Sequence, residues 1–305
     1  MHWRSAVLAS LTFTLGFPAV AATAPPAPGA TFKTGGVTIW YEVRGSGRGT
    51  PLVVANGGPG FDHSYLLCGD VWDRLARGRK VIFYDQRGNG RSSELKDGQP
   101  CGLAEQIDDL DALRAHLGLA KIDLLGHSWG GYLVMAYASR HPERIAHLMI
   151  VDSAAPKIQD TVFLFKNIYP ETTAREDAMA FAVELGDPKA VAADLHEYMN
   201  MLFYTPEARD AFMARSQSFV YRQKVNKAVW SDLQRFDLNP ELPKFKFPTL
   251  VVTGRYDFNV APSVAWAIHH GIPESELAIF ERSGHLPFCE EPDAFLKRVE
   301  AFLSK

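Results

Sequence analysis

Short apolar runs rich in β-branched residues punctuate the chain at 37–43, 52–55, 80–84, 122–125, 147–151, 249–253 and 277–280. Each is a continuous stretch bounded by glycine, proline or polar residues, the pattern of a strand buried on both faces of a parallel sheet. Between several of them the period changes to that of a helix. Over 104–117, Ile107, Leu110, Leu113 and Leu117 recur at helical spacing among Asp108, Asp109 and Asp111. Residues 131–140 and 292–303 read the same way, the latter with Phe295, Val299 and Phe302 on one side. Strand–helix alternation predicts an α/β fold with a mostly parallel, doubly wound sheet. Residues 156–242 break the rhythm: they carry few β-branched runs, and helical patterns at 174–185, 190–203 and 206–220. Strand-like sequence resumes at 247, so the expected organisation is a core of 33–155 and 243–305 interrupted by a helical lid.

The N-terminus differs from the rest. His2 and Arg4 precede an apolar run over 6–20, and Ala19-Val20-Ala21 or Val20-Ala21-Ala22 offers the small residues of a cleavage site. Gly16 and Pro18 interrupt a run that is already short for a membrane span. A signal peptide over 1–22, a Pro/Ala-rich linker over 23–32, export to the periplasm or medium, and a mature chain without a membrane span are expected. The remaining chain, about 280 residues, suffices for one large α/β domain with a lid. A hydrophobic content of 47% and a charged content of 22% are those of an ordinary globular protein. The formal net charge of -3 provides no basic field for nucleic acid. Three cysteines are too few for a disulfide scaffold. Cys68 and Cys101, both in the loop-rich region around the first βα units, either pair in an oxidising compartment or remain separate thiols. Cys289 reads as a small buried residue.

The chemistry concentrates around Gly126-His127-Ser128-Trp129-Gly130-Gly131, which follows the run at 122–125 and opens the helical pattern at 131–140. A strand that turns sharply into a helix exposes a serine at the turn, and flanking glycines leave it room. The helix start places backbone N–H groups and a positive dipole end beside a developing oxyanion. A serine hydroxyl needs a base, and on such a sheet the chain order is serine, acid, histidine. Asp257 follows the run at 249–253 within Gly254-Arg255-Tyr256-Asp257, and His285 follows the run at 277–280 within Ser283-Gly284-His285. Both fall at the C-terminal edge of the sheet, where sites on open α/β sheets collect. Ser128 is therefore the expected nucleophile, His285 the base, and Asp257 the acid that fixes the imidazole tautomer. Asp152 also follows a strand and is the rival acid; His127 is read as a packing or hydrogen-bonding residue, and His269 and His270 as helix surface. No histidine–carboxylate pattern has metal-ligand spacing, so neither metal nor other cofactor is expected. Asn56-Gly57-Gly58-Pro59-Gly60 follows the run at 52–55, which assigns the oxyanion donors to the backbone N–H groups of Gly58 and Trp129.

The glycine-rich loop, the elbow, and Asp85-Gln86-Arg87-Gly88-Asn89-Gly90-Arg91-Ser92 together resemble the proline iminopeptidase family of serine peptidases, which have the α/β-hydrolase fold. The acid and histidine loops continue the resemblance over nearly all of the mature chain except the lid, although the family usually has His where Asn56 stands. The resemblance implies release of an N-terminal residue, often proline, from a small peptide or amide. Such a substrate brings an ammonium group that must be paired in a dry pocket. The family commonly supplies a lid glutamate some thirty residues before the triad acid; here that stretch is Val225-Asn226-Lys227-Ala228, with no acid. Glu184, Asp194, Glu197 and Asp232 are the replacement candidates, and Phe203, Tyr204, Phe219, Tyr221 and Trp230 the aromatic candidates for an apolar pocket. An esterase or amidase acting on uncharged acyl substrates is the alternative that the missing glutamate favours, ahead of a non-catalytic binding protein.

Overall fold

The computed structural model describes residues 29–215 and 221–305. The expected signal peptide, most of the linker, the end of the helix expected over 206–220, and Phe219 lie outside the described residues. Among the described residues no helix is long and apolar enough to cross a membrane.

Eight strands form one sheet: β1 (Ala30–Thr34), β2 (Val37–Arg44), β3 (Gly49–Ala55), β4 (Arg79–Asp85), β5 (Ile122–His127), β6 (Ile145–Val151), β7 (Thr249–Gly254) and β8 (Glu276–Phe280). Their spatial order is β1-β2-β4-β3-β5-β6-β7-β8. The pairs from β4 through β8 are parallel, as the apolar runs predict. The run at 37–43 is the exception, because β2 lies antiparallel to both β1 and β4. Gly35 and Gly36, with φ of 49° and 76°, make a two-residue reversal that only an antiparallel pair can use. Residues 30–32, expected at the end of the linker, belong to β1, where buried Phe32 stacks on His116 at 4.9 Å between ring centroids.

The helices before the interruption are α1 (Val71–Leu75), α2 (Leu103–His116) and α3 (Trp129–Arg140). Between β6 and β7 come α4 (Phe165–Ile168), α5 (Pro170–Glu184), α6 (Pro188–Asn200), α7 (Pro206–Arg215) and α8 (Gln223–Leu233). The last three are α9 (Pro262–Gly271), α10 (Pro287–Glu290) and α11 (Pro292–Leu303). Helix α8 has no counterpart among the sequence expectations. Its buried stripe is Val225, Val229 and Leu233, and apart from Ala228 and Trp230 the remaining residues are polar.

Neighbouring residues along the central strands feed two different cores, which is why their sequence is mostly apolar, with the bonded pair Asp123 and His147 an exception. Val53, Leu124, Ile150 and Val251 pack with Leu110 of α2, Leu133 of α3 and Ile268 of α9. Leu52, Val54, Leu125, Met149 and Leu250 pack with Trp72 of α1, Phe288 of α10 and Phe295 of α11. Each such side chain removed from water contributes about 1.5–3 kcal/mol. Helix α3 is buried nearly all round, and so lacks a polar face.

That packing also corrects the cysteine expectations. With α10 and α11 against α1, half-buried Cys289 meets Cys68, and the two form a disulfide with Cα atoms 5.4 Å apart across 221 residues. Cys101 remains a free, buried thiol beside Gln106, whose Nε2 donates to its Sγ at 3.6 Å; burial raises this thiol to about 11.

Candidate active site

Ser128 stands between β5 and α3 with φ 58° and ψ -122°. That left-handed conformation costs of order 1–3 kcal/mol for a residue other than glycine and is held by its surroundings. Its N–H donates to Val151 O at 2.9 Å, and its carbonyl accepts from Gly131 N at 2.9 Å. The loop from β3 presses on it. A Cβ on Gly57 would lie 2.6 Å from Ser128 Cβ, so only glycine permits the approach. The buried Asn56 amide shapes this loop, donating to Gly57 O at 3.1 Å and Phe61 O at 2.9 Å. Asn56 therefore acts on backbone carbonyls. Gln86 joins loop to elbow: its Nε2 donates to Asn56 O at 2.9 Å and its Oε1 accepts from Trp129 Nε1 at 2.9 Å. The next residue, Arg87, grips Asp109 through two 2.7 Å bonds in the interior. The motif at 85–92 thus braces the site from behind.

His285, on the loop after β8, is fixed from two sides. Its backbone N–H donates to Leu202 O in the helical insertion at 2.7 Å. Its Nδ1–H donates to Asp257 Oδ2 at 2.7 Å, since an ionised carboxylate only accepts. The fully buried Asp257 turns its other oxygen to the N–H groups of Asn259 at 3.0 Å and Val260 at 2.9 Å. The neutral imidazole then carries its lone pair on Nε2, the tautomer a base requires. Asn259 Nδ2 lies 3.0 Å from that nitrogen and donates to it, so a proton moving from Ser128 to His285 requires this contact to yield. Ser128 and His285 line one small cavity together with Gly58.

Asp152 sits behind this pair, with its carboxyl, that of Asp257 and the His285 ring having ligand atoms within 4.8 Å of one another. It accepts from Gly254 N at 2.8 Å, whereas the 2.7 Å contact with the imidazole belongs to Asp257. Burial first, and then the Asp257 charge, push the Asp152 carboxyl well above its ordinary range. One carboxylate charge is therefore kept behind the imidazole.

Above Ser128 opens a cavity of about 240 Å³. Gly58 and Trp129 form part of its floor, and Phe61, Phe163, Tyr198, Tyr221, Trp230 and Val260 give it apolar walls. Two acids also line it, Glu176 from α5 and Asp194 from α6. Burial, followed by the negative charges of Asp194, Glu197 and Asp177, raises the Glu176 carboxyl to about 7; burial also raises Asp194. Of the expected substrate-binding residues, Trp230 and Asp194 line this cavity, whereas the other three acids are engaged elsewhere. Glu184 pairs with Lys227 at 2.8 Å on the surface, and Glu197 with Arg175 at 2.8 Å. Asp232 accepts from Leu103 N at 2.7 Å at the start of α2 and pairs with Arg235. Among the aromatic candidates, Tyr221 lines the cavity while Tyr204 stacks on Tyr256 at 4.2 Å between ring centroids. Asn226 donates to Pro59 O at 2.9 Å, on the cavity wall. Glu176 was not among the expected residues. It lies in the helical stretch Arg175-Glu176-Asp177, and nothing in the sequence distinguishes it from its acidic neighbour.

A serine held in a strained strand-to-helix turn, with a carboxylate-bound imidazole on the same sheet edge, is the arrangement of an α/β hydrolase. The family model described as alpha/beta hydrolase fold matches residues 50–292, and the chain belongs to that family. Its fold is shared with the esterase RhEst1 from Rhodococcus sp. ECU1013, at a TM-score of 0.73 and 26% identity, covering 90% of this chain and 98% of that one. The chain is 32% identical over 285 residues to the proline iminopeptidase of Saccharolobus solfataricus, covering 88% of this chain and 90% of the relative. It is 32% identical over 284 residues to that of Clostridium botulinum, covering 87% and 94%. Within the α/β hydrolases, then, the chain belongs to the proline iminopeptidase family.

Proposed function

We propose that this protein is an exported serine aminopeptidase that releases an N-terminal proline or small residue from short peptides through an acyl-enzyme. The observation that carries the reading is the pairing of an apolar cavity over Ser128 with two carboxylates, Glu176 and Asp194, in its lining. Among the described residues neither acid forms a salt bridge, so both are available to a cation entering the cavity. An N-terminal ammonium supplies that cation, and the aromatic walls take the pyrrolidine ring or a small side chain.

In the first step, Ser128 Oγ attacks the carbonyl carbon of the N-terminal residue while His285 Nε2 takes the hydroxyl proton. The N–H groups of Gly58 and Trp129 receive the oxyanion. The tetrahedral intermediate collapses, His285 returns the proton to the departing amine, and the first residue remains as an ester on Ser128. Water, deprotonated by His285, then attacks the ester and frees both the amino acid and the serine. Asp257 holds the imidazole through both halves and stabilises its cationic form. The Cys68–Cys289 disulfide supports export, because such bonds persist in oxidising compartments. The apolar segment at 6–20 supports the same placement.

The esterase reading has its own support in the absence of an acid from Val225-Asn226-Lys227-Ala228 and in the structural likeness to RhEst1. Turnover of proline p-nitroanilide, its N-acylated form and p-nitrophenyl acetate separates the two. The aminopeptidase reading expects the free amine to give the highest kcat/KM. Preference for the blocked amide or the acetate would transfer the assignment to an esterase or amidase.

A further inference from the structure

One phenol links three parts of the site that are far apart in sequence. Tyr65 lies in the single turn His63–Leu66 and is buried. Its hydroxyl oxygen is 2.5 Å from Gly57 N and 2.7 Å from His127 Nδ1. The other nitrogen of that ring, His127 Nε2, is 2.7 Å from the backbone oxygen of His285. The acceptors dictate the direction of every bond. A carbonyl oxygen has no proton, so Nε2 of His127 carries the hydrogen and donates. The neutral ring then presents a lone pair at Nδ1, which accepts from the Tyr65 O–H. The Tyr65 oxygen, its proton committed, accepts the N–H of Gly57. A charged imidazole or a phenolate would break this chain. Burial opposes both, pushing the Tyr65 phenol well above and the His127 imidazole well below their ordinary values.

The chain therefore runs from the loop that carries Gly58, through the residue preceding Ser128, to the main chain of His285. We propose that Tyr65 and His127 are positioning residues, which set the distance between the oxyanion donors, the nucleophile and the base through one directional hydrogen-bond relay. The inference rests on the reading of Ser128 and His285 as the reacting pair. The imidazole of His127 is suited to this place because it spans the gap with a donor at one end and an acceptor at the other. Its ring is further seated against Phe288, edge to face at 5.1 Å between centroids. A displacement of about 1 Å in such a frame costs on the order of 100-fold in rate.

The test uses Tyr65→Phe, which removes one oxygen and leaves Gly57 N–H and His127 Nδ1 without their partner. Rates are expressed per active site titrated with a fluorophosphonate, so that partly unfolded enzyme does not count. The relay expects kcat to fall about 10- to 100-fold with KM within about twofold. A purely structural role lowers the thermal midpoint or the titrated fraction and leaves kcat per site unchanged; that result overturns the proposal. His127→Gln, which keeps a donor and an acceptor on one side chain, is expected to retain more kcat than the apolar His127→Leu. Equal losses in the two would also overturn it. If wild-type protein forms no adduct at Ser128, the reading of the reacting pair fails; if it does and Tyr65→Phe keeps full kcat, only the relay fails.

Discussion

Glu176→Gln exchanges a carboxylate for an amide of the same shape in the cavity over Ser128. The cost depends on how much of a carboxylate–ammonium attraction survives in a half-buried site. At 4 Å the attraction is about 1 kcal/mol in water and about 4 kcal/mol at an effective dielectric constant of 20. Screening at a partly exposed site leaves about 1–2 kcal/mol, equivalent to a loss of roughly 5- to 30-fold in kcat/KM. The loss is expected for proline p-nitroanilide and not for its N-acylated form. The pH dependence has a definite sign. Because burial and Asp194 raise the Glu176 carboxyl to about 7, it is neutral below that pH and attracts no cation. KM for the free-amine substrate should therefore fall as pH rises through about 7 in the wild type. The improvement ends as the substrate's own amine loses its proton; an ordinary α-amino group does so at about 8. In Glu176→Gln the first of these transitions should flatten. Steady-state kinetics of both substrates from pH 5.5 to 8.5 decide the matter. Equal losses for free and acylated substrates, or no loss for the free one, would refute the assignment of Glu176 to the ammonium.

Asp257→Asn should lower kcat by on the order of 10³- to 10⁴-fold, because an amide can stabilise the wrong imidazole tautomer. A loss below tenfold would move the orienting role to Asp152. Denatured but unreduced protein should present one reactive thiol, Cys101, and reduction should expose the other two, Cys68 and Cys289; three thiols before reduction would contradict the pairing. Cys289→Ser should cost about 2–4 kcal/mol and lower the thermal midpoint by roughly 5–15 °C. No shift under non-reducing conditions would show that the bond contributes nothing to stability.

How much of this was legible beforehand follows the physics of each element. The central strands announced themselves because both faces are buried, and most residues along them are apolar. The elbow was legible because its geometry needs particular residues at fixed spacing. β1 was hidden: its burial alternates around Phe32 alone, beside a Pro/Ala-rich segment that resembles a linker. The partner of Cys68 was hidden because 221 residues separate it from Cys289, and only the docking of α10 and α11 on α1 brings them together. The cavity acids were the least legible. Glu176 and Asp194 each sit on a helix that carries at least one other acid, so which acid faces inward is decided by tertiary packing. Asn259, two residues beyond Asp257, could have been picked out by its place in the acid loop; Tyr65 carried no such signal.

Hydrolysis by this chain requires Ser128 to be its reactive alcohol, with His285 to take the proton. Intact-mass and peptide analysis after treatment with a fluorophosphonate measures this directly. One adduct per chain on the peptide containing Ser128 is predicted for the wild type, with none on Ser128→Ala and a labelling rate strongly reduced in His285→Ala. An adduct that persists in Ser128→Ala, or labelling indifferent to His285, would contradict it.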